Sequence, residues 1–133
     1  MTRDAMAPDE LAARLDQAAD DIGPAVERKI RQVGELGRAM IRLNAMGRPG
    51  PNIITGQYWL SWRTETRPIP HGAECTIGTH RPQGRRLEFG FTGHDSLGRW
   101  YDQPPYPHVG PAIPEIFQLL HFGMRDAVAE VFE

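Results

Sequence analysis

Apolar residues recur with two different periods along this chain of 133 residues. From Asp9 to Ile22, the residues Leu11, Leu15, Ala18 and Ile22 fall four, three and four apart, the spacing of one helical face. Pro8, Asp9 and Glu10 suit a first turn, where a missing N–H costs nothing and negative charge meets the positive helix end. Gly23-Pro24 then predicts a sharp kink or a new helix, because a proline inside a helix removes a backbone hydrogen bond. Val26, Ile30, Val33, Gly37, Met40, Ile41 and Asn44 continue the stripe, so helical structure is expected over 9–46. Gly34 and Gly37 each cost up to about 1 kcal/mol relative to Ala in a helix, and predict a closely approaching neighbour backbone.

Gly47-Arg-Pro-Gly-Pro51 ends the helical region, and the period then shortens. Over 57–67, Tyr58, Leu60 and Trp62 alternate with Trp59, Ser61 and Arg63, which predicts a half-buried strand. Ala73, Cys75 and Ile77 alternate with Glu74 and Thr76 in a second strand. Leu87, Phe89 and Phe91 alternate with Arg86, Glu88 and Gly90 in a third. Residues 92–111 read as a long loop holding Trp100, Tyr101 and Tyr106. A last helix is expected over 112–132, with Ile113, Ile116, Phe117, Leu120, Met124, Ala127 and Val131 as its stripe. The expected fold is a single α+β domain over 1–133: a small antiparallel sheet of three or four strands, packed by the N-terminal helices and a C-terminal helix.

Composition sharpens this picture at one place. Gly and Pro total 26, and 20 of them lie between Gly47 and Pro114. The same segment holds all three Trp and all three Tyr, which argues for a turn-rich ordered region rather than a disordered one. No apolar run approaches the ~20 residues of a membrane span, and the opening decapeptide lacks the apolar core of a secretory leader. Cys75 is the single cysteine, so no internal disulfide can form, and assembly in a reducing cytoplasm is the expectation.

The net charge of −2 conceals segregation. Residues 1–24 hold two Arg against six acids, and residues 25–48 hold six bases against two acids. Residues 49–101 hold six Arg against four acids, and residues 102–133 one Arg against five acids. Acidic ends flanking a basic middle suit head-to-tail contact between copies at least as well as nucleic-acid binding. Arg81, Arg85, Arg86 and Arg99 are candidates for a basic rim that meets DNA phosphate or another subunit.

Candidate chemistry is sparse. His71 and Cys75 lie four residues apart, roughly 13 Å along a strand, too far to share a metal unless the backbone turns. Gly93-His94-Asp95-Ser96 sets an imidazole, a carboxylate and a hydroxyl side by side, yet adjacent residues seldom point at one another, so a polar turn is the simpler reading. A small metal-dependent hydrolase built on His71, His94 or His108 stands as a distant alternative. Aromatics in a Pro-rich loop suit contact with another chain, which makes His94, Asp95, Arg99, Trp100, Tyr101 and Tyr106 the candidate interface.

Three motifs occur in an order that resembles one family. They are Pro51 with Thr55-Gly56-Gln57-Tyr58-Trp59-Leu60-Ser61, then Leu87-Glu88-Phe89-Gly90, then Pro107-His108-Val109-Gly110-Pro111-Ala112. Over about 25–133 the chain resembles the small neck, tail-completion or head–tail joining proteins of long-tailed bacteriophages. The resemblance implies a non-enzymatic virion protein with no cofactor or metal. It would form a ring of copies, six by expectation, at the head–tail junction, assembled in the host cytoplasm. Its partners would be itself, connector or head-closure proteins, tail-tube or tail-terminator proteins, and genomic DNA passing through the lumen, with no membrane. A tail-terminator position capping the tube is the alternative. Thr55, Gly56, Glu88, Phe89, Gly90, Pro107, Pro111 and Ala112 are then structural, with Glu88 expected to pair an Arg and Gly90 expected at a bulge or close backbone approach.

Overall fold

The computed structural model describes residues 6–70 and 72–132. Its first element is one helix, α1, Pro8–Asn44. Of the two outcomes expected at Gly23-Pro24, a separate new helix does not form, since α1 runs through Pro24. The intrinsic cost of an interior proline is about 3 kcal/mol, and contacts on both sides of it hold the helix in one piece. Ahead of Pro24, Ala18 is buried and the Arg14 guanidinium donates to the Phe132 carbonyl at 2.8 Å; beyond it, Ala25 is buried and Arg28 pairs with Glu130.

After an irregular stretch come a one-turn helix α2, Gln57–Leu60, and an antiparallel hairpin of β1, Arg63–Ile69, and β2, Gly72–Gly78. Helix α3, Gln83–Phe89, leads into a second antiparallel hairpin of β3, Phe91–His94, and β4, Trp100–Gln103. A 3-10 turn, Gly110–Ala112, opens the final helix α4, Ile113–Phe132. The class is α+β, as expected, but the four strands form two separate two-stranded sheets.

Three expected boundaries are corrected. The strand expected from residue 57 begins at Arg63, because left-handed Gly56 (φ 82°) starts a helical turn instead. The strand expected over 85–91 is helical to Phe89, since the short Leu87/Phe89 alternation does not outweigh a run of helix-forming Arg, Leu and Glu. The loop expected over 92–111 contains the β3–β4 hairpin, leaving a short link before the last helix.

The first hairpin lies against α1. Thr64 pairs with Ile77 and Thr66 with Cys75 in the ladder, and all four are half-buried, Thr64 and Thr66 between exposed neighbours on β1. Gly34 and Gly37 of α1 admit side chains rather than the expected neighbour backbone: the Cys75 sulfur sits over Gly34, and a Cβ on Gly37 would lie 2.8 Å from Ile77 Cδ1 and 3.0 Å from Ile116 Cδ1. Helix α4 runs antiparallel to α1, with Ile116 beside Gly37, Gly123 beside Val33, and Glu130 beside Arg28. The innermost cluster is Ile41, Trp62 and Ala112, packed by Met40, Tyr58, Ile77, Val109 and Ile116. Full burial of a side chain such as Ile41 contributes about 1.5–3 kcal/mol. The stripe expected on α4 is buried only in part, since Ile113 and Phe117 face solvent.

Candidate functional site

A buried polar knot lies where α1, α2, α3 and the start of α4 meet. Helix α3 turns Glu88 toward the link before α4, and the Tyr106 N–H donates to the Leu87 carbonyl at 2.6 Å. The Glu88 carboxylate accepts three consecutive backbone N–H groups: His108 at 2.8 Å and Val109 at 3.0 Å on Oε2, and Gly110 at 2.7 Å on Oε1. Donors at a helix entrance lack intrahelical partners, and the helix dipole favours negative charge there. Glu88 therefore caps the last helix from a different helix. Burial pushes its carboxyl up, but the three N–H groups and His108 outweigh that and hold it below the ordinary carboxylate range.

His108 is fully buried. Its Nδ1 lies 2.9 Å from the Tyr106 carbonyl and 3.0 Å from Glu88 Oε2, both acceptors, so Nδ1 carries a proton. In the neutral ring the lone pair is then on Nε2, which accepts the Tyr58 hydroxyl at 2.6 Å. Asn44 at the end of α1 donates to the His108 carbonyl at 3.1 Å. The rings of Tyr58, Trp62 and His108 meet edge to face with centroids 5.7–6.1 Å apart. Burial pushes the Tyr58 phenol up to about 12; the nearby Trp62 indole N–H, which makes no hydrogen bond of normal geometry, acts against this, and the Glu88 charge adds to it.

All three sequence motifs converge on this knot. Thr55 and Gly56 open α2, the Thr55 hydroxyl accepting the Gln57 N–H at 3.3 Å, and α2 aims Tyr58 at His108. Glu88 clamps the segment that runs through Pro107 and Pro111 to Ala112, which is completely buried. Glu88 bonds His108 and backbone, not the expected arginine. Gly90 takes φ 82°, ψ 170°, and a Cβ there would stand 2.8 Å from the Gln103 carbonyl oxygen, a close backbone approach at the end of α3. Chemically, the chain from Tyr58 through His108 to Glu88 resembles a proton relay, but its phenol is harder to ionise than a free one, the reverse of what activates a nucleophile. Its geometry suits holding α4 in place.

Beside the knot lies an open groove of about 490 Å³, whose wall includes Trp62, Ile77, Val109 and Ile113, with Arg81 and Arg85 among its lining residues. Phe89, read as structural, is 75% exposed at its edge. The strand reading concealed this groove. Arg85 and Phe89, four apart in α3, share one side of that helix, and Arg81 lies just before it. The other expected rim arginines lie elsewhere: Arg86 stacks over the Phe91 ring at 3.8 Å, and Arg99 pairs with Asp95.

The second hairpin gathers His94, Asp95, Arg99, Trp100 and Tyr101, whereas Tyr106 lies apart under the Arg48 guanidinium at 4.1 Å. The Gly98 N–H donates to the Asp95 carbonyl, and Gly98 is left-handed. Partial shielding pushes the Asp95 carboxyl up, but the N–H groups of Arg99 and Leu97 and the Arg99 guanidinium at 2.7 Å prevail and keep it low. His94 meets Trp100 edge to face at 5.1 Å, while Leu97 and Trp100 stand in solvent at 75% and 61% exposure.

Of the histidines considered for a metal, His71 lies outside the described residues, His94 is on this hairpin, and both ring nitrogens of His108 are engaged. Among the described residues no group of three or more His, Cys, Asp or Glu could hold a metal. No described helix is long and apolar enough to cross a membrane. No family model, curated protein or solved structure matches this chain.

Proposed function

We propose that this chain is a non-enzymatic structural subunit of a long-tailed phage virion, forming a ring at the head–tail junction through which DNA passes. The observation that carries the reading is the convergence of its three motif segments, 55–61, 87–90 and 107–112, on one clamp that fixes the last helix. Residues that are scattered in sequence and jointly build one joint are what a shared structural framework requires. Two further features support it. The β3–β4 hairpin leaves Leu97 and Trp100 in solvent, as a surface that meets another chain does. The charge runs from an acidic start to a basic middle, which suits a ring whose subunits present different surfaces on their two sides. In this reading the ring is a hexamer, with connector proteins on one side and the tail tube on the other.

The test is an image of an intact particle at side-chain resolution. Density for this chain between connector and tail tube is expected. Density confined to the tail's own end ring would make it a terminator, and its absence from purified particles would overturn the virion assignment.

A further inference from the structure

Helix α1 is about 55 Å long and α4 about 30 Å, from 37 and 20 residues at 1.5 Å each. Because Arg28 sits beside Glu130, near the end of α4, the first turns of α1 extend past its partner helix. The long Arg14 side chain reaches back, to the Phe132 carbonyl. This arm is amphipathic, and among the described residues its outer turns stand uncovered: Leu11 is 48% and Leu15 50% exposed, whereas Ala18, further along the same stripe, is buried. Around them stand Asp9, Glu10, Asp16, Asp20 and Asp21, opposed only by Arg14, which makes the arm strongly acidic.

The groove beside the knot has the complementary character. Trp62, Ile77, Val109 and Ile113 supply apolar wall, Phe89 stands exposed at its edge, and Arg81 and Arg85 make no ion pair among the described residues, while the one acid in the lining, Glu88, is spent on the backbone N–H groups of residues 108–110. The arm cannot reach the groove of its own chain. The groove lies at the opposite end of α1, where Trp62 packs on Ile41, and Leu15 is 26 residues and about 39 Å along the helix from Ile41.

We propose that the α1 arm of one copy docks in the Arg81/Arg85/Phe89 groove of the next copy, Leu11 and Leu15 entering the apolar wall while the arm's acids face the two arginines. The occupant is a second copy of this chain because the chain itself carries both halves of the match, apolar against apolar and acidic against basic. The contact uses a different surface on each partner, so it is heterologous and propagates until rotation closes it. It deepens the ring reading, on which it rests only for closure. It also divides the work between surfaces, with arm and groove joining neighbours within the ring and the aromatic hairpin left free for adjoining proteins.

Complementary defects test it. One variant, Leu11→Asp with Leu15→Asp, loses the arm and keeps the groove; another, Arg81→Glu with Arg85→Glu and Phe89→Asp, loses the groove and keeps the arm. Far-ultraviolet circular dichroism and thermal melting establish that both are folded, as expected for substitutions at exposed positions. Native mass spectrometry of the wild type should show higher oligomers, each variant alone a monomer, and their mixture a 1:1 heterodimer that grows no further. Leu15→Cys and Phe89→Cys placed on separate copies, in a Cys75→Ala background, should form an intermolecular disulfide under mild oxidation. Oligomers formed by either variant alone, or no heterodimer and no disulfide, would overturn the proposal. Should a groove variant not fold, the cysteine pair decides alone. The outcome is independent of whether the protein is found in a virion: arm-to-groove contact without virion incorporation refutes only the phage assignment, and a virion ring with free arms refutes only this contact.

Discussion

The polar knot and the β3–β4 hairpin each join a histidine, a carboxylate and aromatic rings, and they use them in opposite ways. In the knot His108 is fully buried, both its ring nitrogens are bonded, and Glu88 satisfies three backbone donors. In the hairpin the Asp95 carboxylate serves its own turn, and Trp100 is left in solvent. The lesson is that partner satisfaction separates the two, not residue type. A fully bonded buried group is costly to disturb, whereas an exposed aromatic contributes little until something covers it.

Substitutions should widen that contrast. Glu88→Ala strands three N–H groups and His108, and is expected to cost about 3–4 kcal/mol in urea denaturation; a loss under 1 kcal/mol would mean the clamp is not central. Because the folded state holds this carboxyl low, its stabilising contribution is complete above the ordinary carboxylate range and is lost as pH falls through the folded-state value. Glu88→Gln should accordingly flatten the acid limb of the stability profile, and an unchanged limb would refute the assignment. Gly90→Ala places a Cβ against the Gln103 carbonyl in a backbone region open essentially to glycine alone, at about 2–3 kcal/mol by thermal melting. Tyr58→Phe removes one neutral hydrogen bond to His108 and should cost about 1 kcal/mol. Trp100→Ala should change stability by less than about 0.5 kcal/mol while, under the proposed virion role, abolishing incorporation into particles, and a large drop in melting temperature would mean the hairpin is core rather than contact surface.

Much of this contrast was open to reading from the chain. The α1 stripe from Ala18 to Ile41, the Ala73/Cys75/Ile77 alternation and the last helix follow from periodicity that burial on one side enforces. The short segments did not, because seven residues such as Gln83–Phe89 fit either period, and packing decides between them. Asp95 and Gly98 mark a turn in local chemistry, yet the strands beside them are too short to announce themselves. Glu88 stood out as a motif residue, but its role depends on donors 20–22 residues away that only the folded chain brings to it.

That separation has a kinetic consequence. The clamp joins positions 20–22 residues apart through Glu88, 50 apart through Tyr58 and His108, and 64 apart through Asn44 and His108. Loop-closure entropy must be met before any of these bonds forms, whereas the turns of α1 form locally, so the clamp should close after the folding barrier is crossed. Glu88 would then act mainly on escape from the native state: Glu88→Gln should steepen neither arm of the chevron and leave refolding nearly unchanged while speeding unfolding several-fold. A carboxylate at the root of the last helix thus sets how long the chain stays folded more than how fast it gets there.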